Sequence, residues 1–407
     1  MDLNTQLKML GVAEVMAVLK STNGEATKGA KAIADHFRST GSSHDAALLE
    51  TLRSTVKGKA AAKLPKRPPP FHVYPHLGIV LGTVDKDGLA KLRKDKAVAK
   101  VLPAPVLSLI RPTASDEAKA KKGITWGVEA LGVPKLWHQG CNGKGILVGH
   151  LDTGVDGKHP ALKGAIAAFA EFNLLGQPVP GAKPHDTDEH GTHTAGTIAG
   201  RAVNGVSFGV APGAKLASAI VIEGGNVVAR ILAGMNWVVG QKVRILSMSL
   251  GLRGYDGSFL FLVQLLRRLD ILPVFAVGNE GSGTSRSPGN YVEALSVGAY
   301  DEKGQVALFS SSQKFNRPKD PIVPDLVGPG VDVLSCIPNG RYALMSGSSM
   351  ATPHIAGLAA ILMQAKPKAK ANQIEGAIFK SCRLLKGMTA DRANRGVPDA
   401  IKALTFL

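Results

Sequence analysis

The chain has 407 residues, 44% of them apolar and 47 of them glycine, enough to bury the core of one large domain and a smaller one. Its formal net charge is +18, but only 5% of residues are aromatic and no nucleic-acid-binding signature occurs, so the charge reads as a solvated cationic surface and not as a nucleic-acid interface. No apolar run reaches the roughly 18 residues of a membrane span, MDLNTQLKML lacks the basic and apolar regions of a secretory signal, and the dispersed Cys141, Cys336 and Cys382 argue against a disulfide framework, so the expected location is the cytoplasm.

In chain order, VAEVMAVLK (12–20) predicts a strand, and the apolar spacing of TKGAKAIADHF (27–37) and SHDAALLETLRSTV (43–56) predicts two helices. KLPKRPPP (63–70) is basic and proline-rich; three successive prolines continue neither a helix nor a central strand, so it reads as an exposed connector. LGIVLGTVD (77–85) predicts a strand, DGLAKLRKD (87–95) an amphipathic helix and AVAKVLP (97–103) another strand. TASDEAKAKKG (113–123) carries charges and alanines without a core pattern and reads as a linker open to proteolysis. From Trp126 onward, the apolar runs GILVGHLD, AKLASAIVI, VRILSMSLG, LPVFAVGN and ALSVGAY alternate with glycine turns and alanine-rich helical stretches. Near-continuous apolar strands between helices predict a parallel sheet covered on both faces, with sites at the carboxyl ends of its strands.

Several of these runs end on reactive side chains. Asp152 closes GILVGHLD and precedes Thr153-Gly154, which puts a carboxylate at the rim of the sheet, within reach of an imidazole. A plain Asx turn is the alternative; an aspartic protease also uses Asp-Thr-Gly but needs two such carboxylates, and with one copy here it would require a homodimer. PHDTDEHGTHTAGTIAG (184–200) gathers His185, Asp186, Asp188, Glu189, His190 and His193, which invites a metal reading. It contains no His-Glu-x-x-His, and the inverted form is off by one residue. His190 then reads as opening a tightly packed helix of small residues, with His193 a structural neighbour. Asn279 closes PVFAVGN, either as a turn residue or as an amide donor to a tetrahedral intermediate. In GSSMATPHIAG (347–357), Ser348 and Ser349 start a small-residue helix. A serine there either caps the first turn or is a nucleophile at a helix N-terminus, beside a glycine that allows a sharp turn.

Asp-Thr-Gly after an apolar strand, His-Gly-Thr-His-Thr-Ala-Gly, Ser-Met-Ser-Leu-Gly, Gly-Asn-Glu-Gly and Gly-Ser-Ser-Met-Ala-Thr-Pro-His occur in that order, with Asp152 and His190 38 residues apart and His190 and Ser349 159 apart. From about residue 125 to the end the chain resembles the subtilisin-like serine proteases. The order Asp, His, Ser is the subtilisin order, and it excludes the α/β-hydrolases, which run Ser, Asp, His. The resemblance implies an α/β fold with a subtilisin-like parallel sheet, helices on both faces, and a serine endopeptidase acting through an acyl-enzyme. It implies Asp152 as the carboxylate orienting the base, His190 as general base and then acid, Ser349 as nucleophile and Asn279 as oxyanion donor. It also implies Ser249, Leu250, Gly251 and Gly278 as substrate-binding residues, and Ser348, where the family usually has threonine, as structural.

The strand–helix–strand order of residues 1–112 is similar to the ferredoxin-like inhibitory pro-domain of these proteases. That division implies a self-inhibited zymogen: a pro-domain at 1–112, a linker and processing site at 113–124, and a catalytic domain at 125–407. The expected partners are a protein or peptide substrate and the chain's own pro-domain, with no nucleic acid and no membrane. No cofactor is expected. The family's calcium loop falls at RAVNGVS (201–207), which offers few side-chain oxygens to an ion that takes six to eight. Three readings compete with this one: a metal-dependent hydrolase built on 185–193, a catalytically dead binding module, and, for the N-terminal part, an unrelated α+β accessory domain.

Overall fold

A computed structural model describes residues 2–38, 43–56 and 64–407. They form two compact units: Met1–Leu107 with Glu171–Pro180 and Val221–Gly240, and Ser108–Ala170 with Gly181–Ile220 and Gln241–Leu407.

The first unit runs α1 (Leu3–Leu10), β1 (Ala13–Leu19), α2 (Asn23–Ala32), α3 (Ser43–Thr55), β2 (Phe71–Tyr74), β3 (Ile79–Val84), α4 (Lys86–Lys94) and β4 (Val98–Pro103). β1 pairs antiparallel with both β3 and β4, so Val15 faces Gly82 on one side and Pro103 on the other. The resulting sheet order β2-β3-β1-β4 is the ferredoxin-like arrangement expected from the sequence. Two elements lie outside that expectation. α1 buries only Leu3 and is started by Asp2, whose Oδ1 accepts from the N–H groups of Asn4 and Thr5 at 2.9 and 3.0 Å; β2 is four residues long and follows the prolines. Of the 63–70 connector, Lys63 lies outside the described residues, and 64–70 form neither helix nor strand.

Later parts of the chain complete this unit. Leu49 and Leu52 of α3 pack with Leu175 in one buried cluster. The Tyr74 hydroxyl donates to the carbonyl of Ala229 at 3.0 Å, and the His76 N–H donates to Asn236 Oδ1 at 2.9 Å, both partners lying on the helix Val227–Gly240. Just ahead of that helix, Asn226 Nδ2 donates to Glu14 Oε1 at 3.0 Å and to Asp45 Oδ1 at 3.2 Å. Burial, which outweighs the Asn226 bond, raises the Glu14 carboxyl above its ordinary value.

The second unit is built on a seven-stranded sheet. Its spatial order is Leu326–Pro329, Leu295–Tyr300, Leu272–Ala276, Ile245–Met248, Leu147–Asp152, Lys215–Ile220 and Ile166–Glu171. The five pairings from the first of these strands to the sixth are parallel. Four strands, from Ile245–Met248 outward to Leu326–Pro329, are buried at every position. Both faces are therefore covered, which is why these segments read as unbroken apolar runs.

The helix Ser348–Ala365 packs across those four strands, and the helix Leu260–Arg268 lies on Leu272–Ala276. The helix His190–Ala199 packs on Leu147–Asp152, on Lys215–Ile220 and on Ser348–Ala365, with all ten of its residues buried. Its small side chains permit that approach: a Cβ on Gly191 would stand 2.1 Å from the carbonyl oxygen of Gly154.

Two short sheets flank the large one, joining Ser108–Leu109 to Leu250–Arg253 and Arg286–Ser287, and Ala114–Glu117 to Arg341–Ser346 and Val333–Ile337. The polar stretch read as a linker thus contains a strand, paired through Ala114 opposite Ser346 and Glu117 opposite Ala343. All four of its side chains are exposed, so backbone pairing and not apolar burial forms it, and it leaves no apolar alternation in the sequence. Among the described residues, no helix is long and apolar enough to cross a membrane.

Candidate active site

Asp152 is the last residue of its strand and His190 the first of its helix, so sheet and helix packing bring a carboxylate and an imidazole together from opposite polarities of secondary structure. His190 Nδ1 lies 2.7 Å from Asp152 Oδ1, with both side chains about 2% exposed. Burial favours the neutral form of each group. The pairing outweighs it in both: the His190 charge and hydrogen bond hold Asp152 below the usual carboxylate range, and Asp152, with Asp186 and Asp188 behind it, raises His190 above the ordinary imidazole value. His190 Nε2 is buried and has no hydrogen-bond partner among the described residues.

Ser349 sits in the first turn of the helix Ser348–Ala365, which packs against the helix that His190 opens. Neither serine caps the helix. Gly347 is the N-cap and makes no side-chain cap bond, while the Ser349 hydroxyl donates to the carbonyl of Ile110 at 2.5 Å. The capping alternative therefore fails, and so does the sharp-turn role of Gly347. Its φ of 167° is extended backbone open to any residue, and what the position restricts is space, since a Cβ there would lie 3.1 Å from Asn279 Nδ2.

Asn279 follows the strand Leu272–Ala276, and its Oδ1 accepts from the N–H and the hydroxyl of Ser348, each at 2.8 Å. Ser348 thereby fixes the amide's orientation, and Asn279 Nδ2 donates to the carbonyl of Arg111 at 2.8 Å. Gly278 has a φ of 123°, a conformation that favours glycine. Its own N–H donates to Ser348 Oγ at 3.3 Å and its carbonyl accepts from the Ser311 N–H at 3.0 Å, so both of its backbone groups are engaged inside the site.

The chain itself crosses this site. Ser108 and Leu109 pair antiparallel with Gly251 and Leu250, and the Ile110 N–H donates to the carbonyl of Ser249 at 2.9 Å. Three of the four residues expected to bind substrate thus hold an added strand of the protein's own backbone. Past Pro112, the Thr113 N–H donates to the carbonyl of Ser346 at 2.7 Å and the second strand begins. The carbonyl against Ser349 belongs to Ile110 and the one against Asn279 to Arg111, one residue further on. Both precede the 113–124 stretch singled out as the processing site.

The dense 184–193 stretch does not converge on one point. Asp186 accepts from the Thr192 N–H and hydroxyl, each at 2.6 Å, and from the Thr153 hydroxyl at 2.7 Å. His193 Nε2 faces the carbonyls of Val333 and Ala343, and His185 Nδ1 that of Lys183. Among the described residues, no three His, Cys, Asp or Glu side chains gather as a metal would require. His193 is buried and lowered to about 3 by that burial, so it is a neutral structural residue.

Sequence reasoning passed over His150 and Thr194. His150 lies on the Asp152 strand two residues before it, on the same face, with Nδ1 2.9 Å from Ser218 Oγ and Nε2 2.9 Å from Thr194 Oγ1. The Thr194 hydroxyl lies 3.2 Å from Asp152 Oδ2. Burial lowers His150 to about 4, so the ring is neutral, and with its proton on Nε2 it leaves Thr194 free to donate to Asp152. The period-2 alignment of His150 with Asp152 was the available signal, masked by an otherwise apolar run.

A strand-end aspartate, two helix-start nucleophile and base candidates and a strand-end asparagine on a parallel α/β sheet are the parts of a serine endopeptidase. Residues 143–399 match the model of the subtilase family, peptidase S8, and the chain belongs to that family. The major intracellular serine protease of Bacillus subtilis is 37% identical over 247 residues, covering 58% of this chain and 74% of that protein. The thermostable alkaline protease of Halalkalibacterium halodurans is 32% identical over 317 residues, covering 77% and 80% respectively. Bacillopeptidase F of Bacillus subtilis is 30% identical over 380 residues, which is 82% of this chain but 26% of that relative's length.

Proposed function

We propose that Asp152, His190, Ser349 and Asn279 carry out peptide-bond hydrolysis in this serine endopeptidase, and that the chain is made as a zymogen held by its own N-terminal part. The observation that carries the reading is the Ile110 carbonyl set against the Ser349 hydroxyl, with a buried Asp152–His190 pair beside it. In turnover the Ser349 oxygen attacks a substrate carbonyl as His190 Nε2 takes its proton, and Asp152 stabilises the imidazolium. The oxyanion accepts from Asn279 Nδ2 and the Ser349 N–H. His190 then protonates the departing amine, and water, deprotonated by the same imidazole, releases the acyl group. No step of this mechanism uses a metal, so activity should persist in chelator.

Ser108 to Pro112 act as an inhibitory strap because hydroxyl and amide face successive carbonyls, whereas attack requires both on the same one. Residues 1–107 anchor the strap, resting on Glu171–Pro180 and Val221–Gly240 through the Tyr74, His76 and leucine contacts. A cytoplasmic location belongs to the same reading, supported by three free cysteines and by relatives named as intracellular proteases.

Incubating purified wild type and Ser349→Ala and sizing the products by mass tests the proposal. Wild type sheds an N-terminal fragment ending near Ile110, and the variant stays whole; loss at equal rates from both contradicts self-cleavage.

A further inference from the structure

Beside the strand that receives the strap lies a buried arginine that hydrolysis itself does not use. Arg286 is 8% exposed and sits in the strand Arg286–Ser287, which pairs with Leu252 and Arg253 on the edge of Leu250–Arg253 opposite the strap. Glu280 holds its guanidinium: Nε donates to Oε1 at 2.8 Å and Nη2 donates to the same oxygen. Glu280 is fixed in turn, its Oε2 accepting from the Asn279 N–H at 3.1 Å and from the Ser311 hydroxyl at 3.3 Å. The remaining nitrogen, Nη1, reaches the strap, donating to Ser108 Oγ at 3.0 Å and to the carbonyl of Gly251 at 3.2 Å.

Ser108 stands two residues before Ile110, whose carbonyl meets Ser349. Its hydroxyl accepts from Arg286 and is 3.4 Å from the Gly251 carbonyl, so it satisfies a donor and an acceptor together. An aliphatic side chain in its place leaves Nη1 with the Gly251 carbonyl alone and removes the second of that carbonyl's two donors.

We propose that Arg286 is a specificity-determining residue that selects substrates bearing a hydroxyl side chain, serine or threonine, two residues before the one whose carbonyl is attacked. The inference rests on reading the strap as a substrate-like strand. Arg286 is suited to the task because Glu280 already fixes its orientation, so little freedom is lost when the hydroxyl binds, and because a hydrogen bond from a charged donor discriminates more strongly than a neutral one.

The test uses the full chain, with active sites counted by titration with a serine-directed phosphonate, and two peptides: acetyl-Leu-Ser-Leu-Ile-p-nitroanilide and its analogue with α-aminobutyrate, of nearly equal shape, for serine. The wild type should hydrolyse the serine peptide with kcat/KM about 3- to 10-fold higher, and Arg286→Met should bring the ratio to about 1. Because each ratio is taken within one protein, a general loss of folded enzyme cancels. The wild-type ratio needs no variant, so it decides the matter even if Arg286→Met misfolds. A wild-type ratio of about 1, or one that survives in Arg286→Met, overturns the inference and leaves the protease reading intact. Failure to hydrolyse either peptide, or any other, overturns both.

Discussion

In the mechanism proposed above, His190 is the base, and its protonation sets the rate. It must be neutral to accept the Ser349 proton, and its neighbours raise it above the ordinary imidazole value, burial notwithstanding. The deprotonated fraction, and with it kcat/KM, therefore climbs as pH rises through that elevated value and falls away below it. Asp188 is one of the charges that raise it, and its Oδ1 accepts from the N–H groups of Glu189 and His190 at 2.6 and 3.2 Å. Asp188→Asn keeps an acceptor for those groups while removing the charge, so the acid limb of kcat/KM should move to lower pH. A pH profile whose limb stays in place contradicts the assignment. At this scale the sequence was most informative where polar residues end strands or begin helices, as with Asp152, His190, Asn279 and Ser349. It was least informative for His150 and Thr194, whose polar groups satisfy one another inside segments that otherwise read as core.

The elements most open to error were short strands whose pairing partners lie far along the chain. Ala114–Glu117 has no buried side chain, and Ser108–Leu109 is a strand because Leu250 and Gly251 lie beside it. Propensity cannot reveal such strands, since the partner supplies the hydrogen bonds from more than 130 residues away. The strap's hold therefore depends on individual amides. Ile110→Pro removes the N–H that donates to Ser249 and should loosen the strap. In a progress curve of peptide hydrolysis by the full chain, the lag before steady turnover should shorten several-fold. A lag equal to that of wild type contradicts the role given to this strand addition.

Across the whole chain, the parallel sheet was legible because burial on both faces writes itself as unbroken apolar runs, and the ferredoxin-like sheet because β1, β3 and β4 are apolar strands around a helix. What no local pattern conveys is that the N-terminal unit, whose first stretch ends at Leu107, includes Glu171–Pro180 and Val221–Gly240 from much further along the chain. Leu49 is 2% exposed and clusters with Leu175, so Leu49→Ala opens a cavity costing about 2–5 kcal/mol in that unit. Chemical denaturation followed by hydrogen exchange in β1 and β3 should show the loss there; unchanged protection in both strands contradicts the packing described.

Every step proposed for this site requires Ser349 to be the nucleophile that His190 activates. The most direct measurement is mass spectrometry of the chain after incubation with a diphenyl phosphonate peptide analogue. A single adduct on the peptide containing Ser349, absent in His190→Ala, is the result expected. An active preparation that gains no adduct, or carries it on another residue, contradicts it.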